Sequence, residues 1–341
     1  MKTKILLIYT GGTIGMAYDR LTNALIPLDF NHIDEQIPEL NRLNLDIDCY
    51  SFTQPIDSSN ITTKHWVEIG EAIEKNYTSY DGFVVLHGSD TMAFSASALS
   101  FMLENLGKPV VFTGSQLPIG QIRTDGKENL ITAIEIAAMQ NSEAKPIVPE
   151  VCILFEDGLF RGNRTHKKNA EYFEAFDSPN YPGLANVGIG INFNNQNILP
   201  IPAKALQVHK KFDENVHVLH LFPGIQPQAV EAILKTTNLK GLVILSYGAG
   251  NAITDVWFVE MLRAAVEKGI IILNVTQCEV GHVKHGLYET SSAFNHIGVI
   301  GGNDITFEAA ITKMMILLGC GFSNEEIKNY LSKSLRGELT V

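Results

Sequence analysis

The stretch Lys4-Ile5-Leu6-Leu7-Ile8-Tyr9-Thr10-Gly11-Gly12-Thr13-Ile14-Gly15 sets an unbroken apolar run, Ile5 to Tyr9, directly against a glycine-rich turn. A short β-branched run without polar alternation is the pattern of a strand covered on both faces, as in a parallel sheet. The glycines that follow permit a tight turn and close approach of backbone to a ligand, because they tolerate positive φ and carry no side chain. The turn has neither the GxGxxG spacing of a dinucleotide fingerprint nor the Gly-Lys-Ser/Thr of a phosphate-binding loop. Read alone, it fits equally a glycine turn with a capping threonine.

The same pattern recurs outward from this point. FVVLH (83–87), PVVFT (109–113) and VCILF (151–155) are further candidate strands, each followed by a polar turn. Between them Trp66, Ile69, Ile73 and Tyr77 fall on one helical stripe. Thr62 or Thr63 is placed to cap that helix, and Glu68 and Glu71 lie in its early turns. Another helical run, AFSASALSFML, follows His87-Gly88-Ser89-Asp90-Thr91. Alternation of strand and helix at this spacing reads as an α/β protein with a parallel sheet flanked by helices.

The periodicity fails from about Gly188 to Phe212, where NFNNQNILPIPAK is rich in Asn and Pro, and then restarts. VHVLHLF (216–222), GLVILSY (241–247), IIILNV (270–275) and IGVIGG (297–302) alternate with helices, the last carrying Ile311, Met314, Met315 and Leu318, then Ile327 and Leu331. A chain of 341 residues exceeds one comfortable core. The expected organisation is a larger N-terminal domain over 1–190, a linker over 191–212 and a smaller C-terminal, parallel, doubly wound α/β domain over 213–341.

Lys and Arg number 26 against 37 Asp and Glu, a formal net charge of −11, which disfavours nucleic-acid and anionic-membrane partners. Small molecules and a second copy of the chain are the expected partners. One dense basic stretch, RGNRTHKK (161–168), needs a separate explanation. The four cysteines, Cys49, Cys152, Cys278 and Cys320, show no CxxC pair or metal-ligand spacing and read as buried thiols of a reducing compartment. The apolar run near the start is too short for a signal-peptide core or a membrane span. A cytoplasmic location is the expectation.

Ligands of open parallel sheets bind beyond the carboxyl ends of the strands. Four loops fall there: TGGTIG, HGSDT, TGSQ (113–116) and SYGAGNA (246–252). In HGSDT, Asp90 is either a helix N-cap or an ionised carboxylate that needs a partner at the exit of a buried strand. Lys167 and Lys168 are each able to supply that cation. Burial lowers a lysine's pKa and a neighbouring carboxylate raises it, so a general base and a solvated basic loop both fit. In PIDSSN (55–60), Ser58 and Ser59 suit the carboxylate of an amino acid and Asp57 its ammonium, with an ordinary Asx or Ser turn as the equal competitor.

Together these segments resemble the asparaginase/glutaminase family: TGGTIG contains its first threonine signature and HGSDTMAFSASALSF its second, HG(T/S)DT. The likeness continues through TGSQ, FRGNRTHKK (160–168), SYGAGNA, NVTQC (274–278), GVIGGNDIT (298–306) and SLRGELT, and is greatest to bacterial type I, cytoplasmic L-asparaginases. It implies an N-terminal domain with a mixed, mainly parallel sheet, assembly as dimers or dimers of dimers, and hydrolysis of L-asparagine to L-aspartate and ammonia through an acyl-threonine intermediate, without metal or cofactor. Carried over by motif, Thr13 is the nucleophile, Ser89, Asp90 and Lys167 form the second catalytic group, and Asp57, Ser58, Ser59, Ser89 and Asp90 hold the substrate.

Three positions depart from the family pattern. Ser89 stands where threonine is usual. Leu25 occupies the aligned position of an activating tyrosine in the loop after the first signature, and Tyr18 earlier in that loop is the candidate substitute. Leu245 replaces an arginine of the type I regulatory site, while Thr276, Gln277 and Cys278 of that site remain, so weakened or absent activation by a second asparagine is expected. Two other readings keep the fold: an amino-acid-binding or sensing module without turnover, and an amidotransferase-type subunit that passes ammonia to an acceptor.

Overall fold

The computed structural model describes residues 2–18, 25–27, 37–284 and 294–340. Contacts divide the chain into two units, Met1–Lys210 and Lys211–Val341.

The first unit is built on an eight-stranded sheet. Its strands are β1 (Lys4–Gly11), β2 (Asp46–Ile56), β3 (Gly82–Leu86), β4 (Val110–Thr113), β5 (Val151–Phe155), β6 (Gly158–Arg161), β7 (Ala185–Val187) and β8 (Ile191–Phe193). The order across the sheet is β8-β7-β6-β5-β4-β3-β1-β2. The pairs among β2, β1, β3, β4 and β5 are parallel, and those from β5 to β8 antiparallel. The parallel part therefore runs 2-1-3-4-5, a doubly wound order whose direction reverses between β1 and β3. The loops that leave β1 and β3 are TGGTIG and HGSDT, so topology alone puts the two signatures at the switch point where sheets of this order generally bind ligands.

Both faces of β1 and β3 are buried, as their unbroken apolar runs predict. Helices α1 (Thr63–Asn76), α2 (Met92–Met102) and α3 (Gly126–Ala138) cover them. Thr62 is the N-cap of α1, and its N–H donates to His65 Nδ1 at 3.0 Å. At the other end Lys108 Nζ donates to the carbonyls of Tyr77 and Tyr80, both at 2.6 Å, satisfying acceptors that a helix end leaves open.

Two features differ from expectation. The edge strand β2 carries the sequence DIDCYSFTQPI with most residues exposed; it has no apolar run, so its pairing with β1 is invisible to a hydrophobicity pattern. The stretch 191–212, read as a linker, instead begins with β8 inside the sheet, and its Gln207–Val208 pairs antiparallel with Leu103–Glu104. Asn-rich and Pro-rich composition marks irregular backbone there, not detachment.

The second unit holds a four-stranded, all-parallel sheet of β9 (Val216–His220), β10 (Gly241–Ser246), β11 (Ile271–Thr276) and β12 (Ile300–Gly301), in sequential order. Helices α4 (Pro227–Leu234) and α5 (Val256–Glu267) contribute Val230, Phe258 and Leu262 to one core with Leu242, Ile244, Ile270 and Ile272. Helix α6 (Phe307–Gly319) packs on the same strands. A Cβ added at Gly241, on the opposite face from Leu242, would collide with Met314. Both faces are thus covered, although the strand order never reverses. The last strand is two residues long where six residues read as strand: Ile297 ends a helical segment, and Gly298, at φ +86°, lies outside extended geometry.

Below α6 the buried Lys313 ammonium donates to Glu338 at 2.6 Å and to the Lys333 carbonyl at 2.6 Å. Glu338 also accepts the N–H groups of Leu335 and Arg336. Burial lowers the lysine's pKa and the carboxylate opposes it. The pair ties SLRGELT to the second unit.

Candidate active site

Three loops of the first unit meet at backbone distance, and glycines make it possible. Gly11, at φ +132°, lies against the backbone of Ile56, and a Cβ at Gly12, at φ +85°, would sit 2.6 Å from Gly88 N. A Cβ at Gly88 would fall 2.6 Å from Ser58 Oγ. No side chain fits at these points, so TGGTIG, HGSDT and PIDSSN converge only because each contact has a glycine on one side.

Thr13 opens a short helical turn, Thr13–Gly15, closed by Gly15 N–H to Gly12 O at 3.3 Å, and is half-buried. Tyr9 supports the turn from below: its hydroxyl donates to the Gly15 carbonyl at 3.3 Å. Burial first, and then the Cys49 thiol, push the Tyr9 pKa up to about 12, so this phenol keeps its proton and remains a donor.

Asp57 closes β2 and is held as an anion. Its Oδ1 accepts the Ser59 N–H at 2.9 Å and the Ser59 hydroxyl at 2.8 Å, and these bonds hold its pKa below the ordinary carboxylate value. Ser58 is buried, and its carbonyl accepts the Thr91 hydroxyl at 2.7 Å.

Lys167 joins the second signature directly. Its Nζ donates to Ser89 Oγ at 2.9 Å and to Asp90 Oδ1 at 2.6 Å. The lysine side chain is 16% exposed and the aspartate 66%, so the cation is sheltered while the carboxylate meets solvent. Asp90 is not a helix cap, since Thr91 occupies that position. Lys168, one residue past the strand His166–Lys167, points away, to Glu174 at 3.1 Å and Asp177 at 3.7 Å.

The remaining charges of RGNRTHKK explain why the stretch is basic. Arg161 Nε donates to Glu150 Oε2 at 2.5 Å with both side chains buried, and Arg161 and Arg164 lie 4.5 and 5.0 Å over the Tyr181 ring. These arginines are internal supports that carry the chain to Lys167, not a solvated basic loop.

A buried chain of hydrogen bonds behind Ser89 has no counterpart in the sequence reading. Trp66 Nε1 donates to Ser95 Oγ at 2.9 Å, Ser95 bonds His87 Nε2 at 2.8 Å, and His87 Nδ1 bonds the Gly88 carbonyl at 2.7 Å. An indole N–H can only donate, so the Ser95 proton goes to Nε2 and the ring proton sits on Nδ1. Trp66 was legible only as a core residue, yet a buried indole needs an acceptor, and that is the signal that finds this chain. Burial lowers the His87 pKa to about 4, against a weaker opposing effect of the Gly88 carbonyl. The unfolded chain takes up this proton near pH 6.5 and the folded one only near 4. Stability is therefore full above pH 6.5 and declines as pH falls towards 4, by about 3 kcal/mol from this group. Urea unfolding at pH 7 and pH 4.5 is expected to show a smaller acid loss in His87→Gln than in the parent chain.

Of the other expected residues, Tyr18 lies opposite Leu25 where Met16–Tyr18 pairs with Leu25–Pro27; the side chains at 17, 18 and 25–27 lie outside the described structure. Thr276, Gln277 and Cys278 belong to the second unit. The Thr276 hydroxyl donates to Gly248 O at 2.6 Å, and Gln277 Nε2 donates to the carbonyls of Leu221 and Leu245 at 2.7 and 2.8 Å. Among the described residues no group of three or more His, Cys, Asp or Glu could hold a metal ion, and no helix is long and apolar enough to cross a membrane.

Residues 4–199 match the family model described as Asparaginase, N-terminal, and 215–331 the Glutaminase/Asparaginase C-terminal domain. The chain belongs to the asparaginase family. It is 43% identical to a protein of Escherichia coli K12 named L-asparaginase 1, over 99% of this chain and 98% of that one. A mouse protein named 60 kDa lysophospholipase is 41% identical over 99% of this chain and 63% of its own length. Among solved structures, L-asparaginase I from Vibrio cholerae superimposes with a TM-score of 0.91 at 38% identity, over the full length of both chains. This asparaginase-family chain thus has the α/β architecture expected of it: a mixed, mainly parallel sheet and a smaller parallel one.

Proposed function

We propose that this protein hydrolyses the side-chain amide of L-asparagine to L-aspartate and ammonia, with Thr13 as nucleophile. The observation that carries the assignment of roles is the Lys167 ammonium, bonded to both Ser89 and Asp90 in a loop whose Gly88 touches Gly12 beside Thr13.

A threonine hydroxyl is a poor nucleophile without a proton acceptor. In this reading the Lys167 ammonium hands a proton to the departing amide nitrogen as Thr13 Oγ1 attacks the carbon, and the Thr13 proton refills Lys167 through the Ser89 hydroxyl, so ammonia leaves and the pair ends as it began. Water then attacks the acyl-threonine ester and returns a proton to Thr13, so no net proton is gained. Asp90 holds the cation of the pair in place. Thr13 and Ser89 each open a helical turn, and the first N–H groups of such turns have no partner within them. Their N–H groups are the donors for the oxyanion, worth roughly 3 kcal/mol each in comparable sites. Asp57 takes the substrate ammonium, and Ser58 and Ser59 take its carboxylate. Assembly as a homodimer or tetramer and a cytoplasmic location accompany this reading.

Ammonia release from L-asparagine, L-glutamine and D-asparagine, measured side by side, tests it. The expected result is turnover of L-asparagine with a hyperbolic rate curve, since Leu245 removes the arginine of the regulatory site. Binding of asparagine without ammonia would instead establish a sensing module.

A further inference from the structure

We infer that Gln116 is a positioning residue that sets the rotamer and proton direction of Ser89, taking the place of the methyl group that a threonine would carry there. The inference rests on the proposed role of Ser89.

A serine hydroxyl can occupy three staggered wells, whereas β-branching at threonine restricts them. Ser89 is half-buried, and its Oγ has two partners: Lys167 Nζ at 2.9 Å and Gln116 Oε1 at 3.3 Å. An ammonium only donates. The Ser89 proton therefore goes to Gln116, and its lone pairs face Lys167.

The glutamine is itself fixed at both ends. Its Nε2 donates to the Tyr172 carbonyl at 3.1 Å, which turns the amide oxygen to Ser89. Its backbone N–H and that of Leu117 donate to the Asp125 carboxylate, at 2.9 and 3.1 Å, and Asp125 also accepts Asn129 Nδ2 at 3.3 Å. Asp125 is the N-cap residue of α3, and Asn129 lies within that helix. A continuous line of bonds thus runs from α3 through Gln116 to Ser89. When Lys167 has given up its proton, the Ser89 hydroxyl turns from Gln116 to the amine by rotation of the O–H bond alone, with Oγ already in place.

The test measures kcat and KM for asparagine in the parent chain, Gln116→Leu, Ser89→Thr and the double variant, with Ser89→Ala alongside. Gln116→Leu is expected to lower kcat about tenfold with KM within about twofold, the effect of one lost orienting bond and three open rotamers. In the Ser89→Thr background the same substitution is expected to lower kcat less than about threefold, because the methyl restores the restraint. An equal loss in both backgrounds, as a collapsed loop would give, overturns the inference, and so does no loss in either. Full activity in Ser89→Ala would overturn the site reading instead.

Discussion

Thr13→Ala is expected to lower kcat for L-asparagine by about 10⁴-fold or more while the chain stays folded. The turn that presents Thr13 is closed by backbone groups, Gly15 N–H to Gly12 O, and propped by the Tyr9 hydroxyl on Gly15 O. Deleting the threonine hydroxyl leaves those bonds intact. The loss therefore reports on bond formation at the amide carbon and not on the loop. Ammonia release under single-turnover conditions, with the thermal midpoint as control, checks it: undiminished ammonia from the alanine variant would remove Thr13 from the reaction. Thr13→Ser keeps the nucleophilic oxygen and is expected to retain a measurable part of the rate.

Lys167→Met is expected to lower kcat about 10³-fold, the middle of the range for removal of a positioned proton carrier. Methionine replaces much of the aliphatic stem and deletes only the charge. Asp90 is 66% exposed, so losing the ion pair changes stability by under about 1 kcal/mol. Activity and stability should therefore separate, with the unfolding midpoint nearly unmoved. Lys168→Met is the matched control, since Lys168 pairs with exposed Glu174 and Asp177, and its kcat is expected to stay within about twofold. A large loss at Lys168 with little at Lys167 would reverse the assignment.

The two lysines also show what a sequence can and cannot decide. Both sit in one basic run, and nothing in composition separates them. In the folded chain one reaches Ser89 and Asp90 and its neighbour Glu174 and Asp177, partners that lie elsewhere in the sequence. The arginines of the run were opaque for a related reason. Arg161 and Arg164 look like surface charges until Glu150 and the Tyr181 ring, distant in sequence, are brought against them. Edge strand β2 escaped because hydrophobic periodicity detects burial, and its residues are mostly exposed.

By itself the sequence determined the α/β class and the buried parallel strands, and it pointed to the loops proposed to carry chemistry. Apolar runs and glycine turns are local signals, read within a few residues, and the two signatures with PIDSSN and FRGNRTHKK pointed to Thr13, Ser89, Asp90, Lys167, Asp57, Ser58 and Ser59 through resemblance. Only the tertiary structure decided that Gly11, Gly12 and Gly88 are the points where three loops touch, that Gln116 and the His87–Ser95–Trp66 chain stand behind Ser89, and that 191–212 belongs partly to the sheet. The physical reason is the same throughout. A hydrogen bond or a backbone contact depends on distance and direction in space, and neither the 2-1-3-4-5 strand order that brings residues about 12, 58 and 88 together nor the bond that joins Lys167 to Ser89 leaves a trace in any window of sequence that contains just one of the partners.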